Sequence, residues 1–285
     1  MKVLVTGGTG YIGSRVTDFL KKQGDDVSTL GSKSKADIVA DVTDFDEVKK
    51  AVKSFDAVCH LAGRIGAKAS FENPREYFLV NSVGTLNVLE AARLAETKRV
   101  VFTSSLTVYG KANYLPIDEK HPTNPLSPYG YSKLVAEEIC RNYSQMYGLN
   151  VNIVRISYVY GPGQENLLIP TIISQLEKEK VVLKNLDFKL DYIFVDDIAS
   201  AIAKCLDIDS SDVFNIGFGK STSGKELIDA FSRVVGKELN VQVTDPKREE
   251  EQVLNIDKAK RVLGWEPKID IEEGIRRILA SSTSP

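Results

Sequence analysis

The stretch Val3-Leu4-Val5-Thr6-Gly7-Gly8-Thr9-Gly10-Tyr11-Ile12-Gly13-Ser14-Arg15-Val16 limits what this chain can fold into more than any other. A short apolar run stops on glycine and passes directly into an amphipathic pattern, which reads as a strand, a tight turn and a helix. Gly7, Gly10 and Gly13 are spaced three apart, and Gly8, Gly10 and Gly13 also satisfy G-x-G-x-x-G. Each glycine has a physical task in such a unit: the turn must be tight, backbone must come close to a pyrophosphate, and the helix must pack hard on the strand. The helix N-terminus then offers unpaired amides to phosphate oxygens. The segment predicts a dinucleotide site, with Tyr11 and Ile12 at the helix start beside Gly7, Gly10 and Gly13.

The same rhythm continues. Strand-like runs at Lys2–Thr6, Val27–Leu30, Ile38–Ala40, Ala57–Leu61, Arg99–Thr103 and Val151–Ile156 alternate with helical patterns at Ile12–Gln23, Phe45–Lys53, Arg75–Ala95 and Tyr129–Tyr147. Continuously apolar strands between helices form a parallel sheet covered on both faces, so the expected class is α/β, doubly wound. After Gly161-Pro162-Gly163 the elements become shorter and mixed, which predicts a second, smaller mixed α/β domain. The expected division is 1–160 for the dinucleotide-binding domain, with roughly 188–206 returning to it, and 161–187 plus 207–285 for the smaller substrate-binding domain.

Composition excludes several alternatives. The chain has 37 Lys and Arg against 39 Asp and Glu, a net charge of −2, and its basic clusters are short and interleaved with acids. That argues against a nucleic-acid surface or an anionic membrane as partner. No apolar run approaches the roughly 18 residues of a membrane helix, and the expected location is cytoplasmic. Cys59, Cys140 and Cys205 lie too far apart for a CxxC site and read as reduced, buried thiols. His60 and His121 assemble no metal set at usual spacings, so no metal is expected.

The second strand lacks the usual acid. Val27-Ser28-Thr29-Leu30 runs into Gly31-Ser32-Lys33-Ser34-Lys35. An acid at Gly31 would bind the adenosine ribose and repel a 2′-phosphate, whereas Ser32 and Lys33 would accept one. The cofactor is therefore NAD or NADP. NADP is tolerated or preferred unless the lysines form only a solvated loop and NAD binds through other contacts.

In Ser127-Pro128-Tyr129-Gly130-Tyr131-Ser132-Lys133, Tyr129 and Lys133 stand four residues apart and share one helix face. Free tyrosine, with a pKa of about 10, is a poor base at neutral pH. A nearby ammonium and a cationic nicotinamide favour the phenolate, so the pair can take a proton from a hydroxyl as hydride leaves its carbon, and return it in reverse. Lys133 is also placed to hold ribose hydroxyls. Thr103-Ser104-Ser105-Leu106-Thr107-Val108-Tyr109-Gly110 brings hydroxyls to the C-terminal end of a strand, where ligands sit in open α/β sheets. Separately, these features have ordinary structural readings, a lysine snorkelling past a packed tyrosine and hydroxyls capping a turn. Their conjunction with the glycine loop favours chemistry.

TGGTGYIG at 6–13, HLAG at 60–63, NSVGTLNVLEAA at 81–92, SSLTVYG at 104–110, YGYSK at 129–133 and LGWEP at 263–267 together resemble the extended short-chain dehydrogenase/reductases. Within them, the resemblance is to nucleotide-sugar epimerases and dehydratases of the UDP-glucose 4-epimerase type. It covers nearly the whole chain and implies a Rossmann-like fold. It also implies that Tyr129 carries the proton, Lys133 orients the cofactor and tunes charge, and Ser105 assists. By the same resemblance Asp41 and Val42 contact adenine, Leu61, Ala62 and Gly63 line the cofactor, and Asn81 and Ser157 lie near its nicotinamide half. Ser105, Thr107 and Arg248 would meet the substrate.

Dehydratases of this family carry Asp-Glu where Leu106 and Thr107 stand here. Without those carboxylates water elimination lacks a catalyst, and decarboxylation loses support as well. Tyr158 replaces the family's Asn after Arg155-Ile156-Ser157, and Leu190 replaces its Arg, with Lys189 adjacent. Arg248 is the expected cation that remains; either Lys189 and Lys247 compensate or the substrate is not a typical UDP-sugar. The expected function is NAD(P)-dependent epimerisation of a nucleotide sugar, at C4 of an NDP-hexose through a transient 4-keto sugar. A second reading is an NADP-dependent ketoreductase of a 4-keto sugar or other carbonyl. A third, from another class, is a non-catalytic NAD(P)-binding sensor, against which the intact Ser105, Tyr129 and Lys133 argue. Arg75–Ala95 and Tyr129–Tyr147 resemble helices that pair across a two-fold, which implies a homodimer.

Overall fold

The computed structural model describes residues 1–165, 167–245 and 250–282. Its first half contains β1 (Lys2–Thr6), α1 (Tyr11–Lys22), β2 (Asp26–Gly31), β3 (Ile38–Val39), α2 (Phe45–Val52), β4 (Ala57–His60), α3 (Pro74–Phe78), α4 (Gly84–Leu94), β5 (Arg99–Ser105), α5 (Pro128–Tyr147) and β6 (Asn150–Ile156). There follow β7 (Tyr158–Tyr160), α6 (Leu168–Ile173), β8 (Val181–Leu183), β9 (Phe188–Leu190), β10 (Tyr192–Phe194), α7 (Val195–Leu206) and β11 (Val213–Ile216). The chain closes with β12 (Thr222–Ser223), α8 (Gly224–Val235), β13 (Val241–Val243), β14 (Glu250–Gln252), α9 (Asp257–Leu263) and α10 (Ile271–Ser282).

Seven strands form one parallel sheet in the order β11-β6-β5-β4-β1-β2-β3. The order reverses beside β1, as in doubly wound, Rossmann-like folds, and places a crevice at the carboxyl ends of β1, β4 and β5. Strand alternation sorts the core into two layers. Val3 and Val5 pack with Val16 and Leu20 of α1, Ile198 and Ile202 of α7, and Trp265. Leu4 packs the other way, with Val48 of α2, Leu89 of α4 and Cys140 of α5. Each such fully buried Leu or Ile contributes about 1.5–3 kcal/mol.

The helical pattern expected over 75–95 is interrupted by a π turn at Leu79–Val83, between α3 and α4. Side-chain bonds to α5 hold this wide turn: Asn81 Nδ2 donates to Ser132 Oγ at 2.8 Å and Ser82 Oγ donates to the Ser132 carbonyl at 2.9 Å. Single π turns of this kind recur at functional sites.

The smaller lobe packs Ile169, Ile172, Leu183, Phe194, Leu227, Phe231 and Ile275 around Tyr160. In the large sheet β11 pairs with β6, and Ala259, Leu263 and Trp265 complete the core under α7. A strand of four residues is too short to display a period of its own. Phe188–Leu190 of β9 pairs with β12 and β14. Among the described residues no helix is long and apolar enough to cross a membrane, and no group of three or more His, Cys, Asp or Glu is arranged to hold a metal.

Gly274 of α10 lies directly on Tyr160: a Cβ there would stand 2.3 Å from the Tyr160 hydroxyl and 2.5 Å from a ring carbon. The Tyr160 hydroxyl is itself committed, donating to the Asp270 carbonyl at 2.9 Å. Gly274→Val is expected to destabilise the protein by about 1–3 kcal/mol, read as a lower urea midpoint. An unchanged midpoint would mean that α10 yields without cost.

Candidate active site

The glycine loop closes on itself. Gly7 takes φ +68°, and a Cβ on it would meet the Ala62 backbone N at 2.8 Å. A Cβ on Gly13 would stand 2.1 Å from the Gly7 carbonyl oxygen. Glycine is thus demanded by the approach of α1 to the ends of β1 and β4. Gly10 caps α1 without a side-chain bond, and the first turn of α1 carries no acid. Amides of that turn therefore remain available to an anion, and the positive end of the helix favours one. This cradle fits the pyrophosphate of a dinucleotide.

A directed chain of hydrogen bonds braces the loop from below. Thr85 Oγ1 donates to the Asn81 carbonyl at 2.5 Å, so it accepts from His60 Nε2 at 3.1 Å. His60 Nδ1 is then an acceptor, and Thr6 Oγ1 donates to it at 2.7 Å while accepting from Ala62 N at 3.2 Å. His60 is a neutral strut: burial, with the Lys133 charge nearby, lowers its pKa to about 3. Asn81 continues the brace, accepting from Arg64 N at 2.7 Å and donating to the Arg64 carbonyl at 3.1 Å. Gly63 fills the narrow space between, since a Cβ there would lie 2.9 Å from Asn81 Oδ1 and 3.2 Å from Lys133 Nζ.

Ser127 and Pro128 set the start of α5, with Ser127 Oγ accepting from Gly130 N at 3.2 Å. One turn apart, Tyr129 and Lys133 face the end of β5. Lys133 Nζ donates to the Thr103 carbonyl at 2.9 Å and sits 4.9 Å from the Phe102 ring centroid. Its burial lowers its pKa to about 8. Ser105 Oγ accepts from Thr107 N at 3.2 Å and Thr107 Oγ1 at 3.0 Å, which leaves its own proton for the Tyr129 oxygen or a bound hydroxyl. Burial raises the Tyr129 phenol above its ordinary value, and the Ser105 hydrogen bond opposes that rise. Tyr77 packs edge-on against the Tyr129 ring at 6.2 Å and is fixed by donating to the Ile65 carbonyl at 2.7 Å. Phenol, hydroxyl and ammonium thus gather at the carboxyl end of β5.

Other expected site residues fall around this centre with different commitments. The Asp41 carboxylate accepts from Thr43 N at 2.9 Å and Thr43 Oγ1 at 2.8 Å at the entry to α2, while the Val42 carbonyl accepts from Asn87 at 2.9 Å. Ser32 and Lys33 are exposed beyond Gly31. The Tyr11 hydroxyl is buried, and a Cβ on Gly161 would meet it at 2.9 Å; Ile12 packs into both the large and the small core. Ser157 Oγ is engaged, donating to the Asp191 carbonyl at 2.7 Å. Arg248 lies outside the described residues.

Just past β6, Tyr158 lines a cavity of about 460 Å³ together with Gln164, Lys184, Phe188, Leu190 and Tyr192. The Tyr158 hydroxyl donates to Gln252 Oε1 at 2.9 Å, and Gln252 Nε2 donates to the Gly110 carbonyl at 3.3 Å. Residues 3–217 match the NAD dependent epimerase/dehydratase family. The chain belongs to this family. A putative UDP-glucose 4-epimerase of Methanocaldococcus jannaschii is 38% identical, with 97% of each chain covered. A UDP-glucuronate 4-epimerase of Thermodesulfobacterium geofontis is 34% identical over 96% of this chain and 94% of that one. The solved UDP-glucose 4-epimerase of Thermus thermophilus, in complex with NAD, superposes with a TM-score of 0.86 at 31% identity, covering 98% of both chains.

For a member of this epimerase/dehydratase family, the sequence reading passed over Tyr77, the His60 strut and a buried acid on α5, Glu137. The last had a signal: a glutamate four residues beyond Lys133, on the inward face of the helix. The Asn81 clamp can be tested. Asn81→Ala leaves the Arg64 amide without its acceptor and should weaken NAD binding by about tenfold or more, measured by calorimetry on a variant with an unaltered circular dichroism spectrum. Unchanged affinity would show that 61–64 holds its shape unaided.

Proposed function

We propose that this chain is a 4-epimerase of a nucleotide-activated hexose, working with a retained NAD. The observation that carries the reading is the meeting of Ser105, Tyr129 and Lys133 beside the glycine cradle, with Leu106 and Thr107 where an eliminating enzyme needs carboxylates. Gly7, Gly10, Gly13 and the first turn of α1 would hold the pyrophosphate and Lys133 the ribose, with Asn81 and Ser157 near the nicotinamide half. NAD held there supplies a reversible hydride acceptor. Tyr129 takes the proton of the C4 hydroxyl as C4 loses its hydride, and the sugar becomes a 4-keto sugar. Once the sugar presents its other face, Tyr129 returns the proton to O4 as C4 regains hydride. Ser105 hydrogen-bonds the reacting oxygen, and the Lys133 charge offsets the burial that keeps Tyr129 protonated. The cavity beside Tyr158 and Tyr192 is the proposed seat of the nucleotide.

The purified protein should interconvert C4 epimers of UDP-glucose or UDP-glucuronate without net consumption of cofactor. Tyr129→Phe should reduce turnover by about 10²–10⁴-fold with the fold retained; near-normal turnover in that variant would end the assignment. The ketoreductase reading is favoured by one observation, the acid-free end of β2 at Gly31 with Ser32 and Lys33 exposed after it. Consumption of one NADPH per product would establish it in place of the epimerase.

We also propose a homodimer through α4 and α5. Leu86 and Leu94 on α4, and Tyr131, Val135, Met146 and Tyr147 on α5, are exposed apolar residues on two helices that pack together. Sedimentation equilibrium should return the mass of two chains; the mass of one chain would refute the proposal.

A further inference from the structure

Below Lys133, one turn further along α5, Glu137 is fully buried. Four donors saturate its carboxylate. Ser104 Oγ donates to Oε1 at 2.6 Å and Arg155 Nε to Oε1 at 2.9 Å; Arg155 Nη2 donates to Oε2 at 2.6 Å and Arg141 Nη2 to Oε2 at 2.7 Å. Arg155 is equally buried, with its guanidinium 4.7 Å from the Tyr109 ring centroid. Tyr109 in turn donates to Asn215 Oδ1 of β11 at 2.6 Å. The network thus ties α5 to β5, β6 and the sheet edge.

Stability alone does not account for it. Replacing a buried ion pair by apolar residues of the same volume is often neutral or favourable, because two ions must be taken out of water. Its place does account for it. Ser104 precedes Ser105, and Tyr129, Lys133 and Glu137 follow one another at intervals of four on the inward face of α5. Taking the epimerase reading as the reaction, we propose that Glu137 is a positioning residue: anchored by Ser104, Arg155 and Arg141, it sets Lys133 and Ser105 against Tyr129 and keeps the Lys133 ammonium charged.

The titratable groups around Lys133 make the charge argument specific. Along α5 they are Tyr129, Glu137 and Cys140, whose thiol burial pushes up and keeps neutral. From β4 comes His60, held neutral, and from β6 Arg155, one step behind Glu137. Tyr77 on α3 stands behind Tyr129. Burial lowers the Lys133 pKa; Cys140 would oppose this only as a thiolate, which burial disfavours, and the Glu137 carboxylate acts to raise it. Of these, the ionised carboxylate is the group that opposes loss of the Lys133 proton.

The test reads Lys133 directly, so it does not depend on turnover. Lysine side chains labelled with ¹³C at Cε are followed by NMR from pH 6 to 10, and the Lys133 resonance is assigned by its loss in Lys133→Met. Glu137→Gln should lower the Lys133 midpoint by about one pH unit. Arg141→Gln, which removes a partly buried cation and leaves the Arg155 pair in place, should move it upward. Opposite shifts from the two variants would not arise from general loosening of the helix. Should Glu137→Gln fail to fold, the Arg141→Gln shift decides alone. A Lys133 midpoint that moves in neither folded variant, or moves downward in Arg141→Gln, overturns the proposal. In an active enzyme, Glu137→Gln should also lower kcat about tenfold with KM within twofold, as expected for a group felt by the reacting atoms and not by bound substrate.

Discussion

One helix held against the end of one strand is the contact around which the proposed chemistry is arranged. Where α5 crosses the carboxyl end of β5, Lys133 is drawn inside to the Thr103 carbonyl, and Tyr129 is carried with it to Ser105. Burying an ammonium is costly, and the cost appears as a Lys133 pKa lowered to about 8. From β4 the surroundings add no second positive charge to that cost. His60, which packs against the same region, is fixed as the neutral tautomer by Thr6 and Thr85, so it adds rigidity without repulsion. The Lys133 charge thus stands one helix turn from the Tyr129 phenol, while the Arg155 charge is paired with Glu137.

The parts legible in the sequence are those in which a local rule and a global role coincide. Gly7 and Gly13 are glycine because a Cβ would strike neighbouring backbone, and any chain making this turn before this helix meets the same constraint. Ser127, Pro128 and Gly148 announce the two ends of α5 by capping chemistry, and the spacing of Tyr129 and Lys133 follows from the helix between them. The illegible parts depend on contacts made at long range. The π turn at Leu79–Val83 is kept open by Ser132, about fifty residues away in the chain. The strand at 213–216 is defined by its partner β6 and not by its own four residues. Glu137 was visible as an acid on an inward face, yet its partners Arg155 and Ser104 lie on two separate strands, and no periodicity links them.

The same distinction governs specificity. The large sheet presents a site whose geometry follows from its topology, whereas the cleft beside it is built from β7, β9 and β10 and the segments around them. Lining it are Tyr158, Phe188, Leu190 and Tyr192, flat or apolar side chains, with Lys184 and Asp245 as the charged residues among the described ones. Tyr158 is braced through Gln252 to Gly110, a few residues beyond Ser105, so the cleft wall and the segment after β5 are joined by hydrogen bonds.

Such a wall suits a planar ring through surface contact and a small number of hydrogen bonds, and among the described residues its cation is Lys184. A hydroxyl at Tyr158 and an alkyl chain at Leu190 make weaker bonds to phosphate than charge-assisted donors do. With the nucleotide seated here as proposed, the described wall would discriminate mainly by the shape of the base and sugar. A wall of this kind is tolerant of neighbouring sugars: one methylene in an apolar contact changes binding by only about 1–3 kcal/mol. In the proposed epimerisation, Ser105 at the end of β5 and Tyr129 and Lys133 on α5 would fix the chemistry at C4, leaving the smaller lobe to vary which sugar is brought to them.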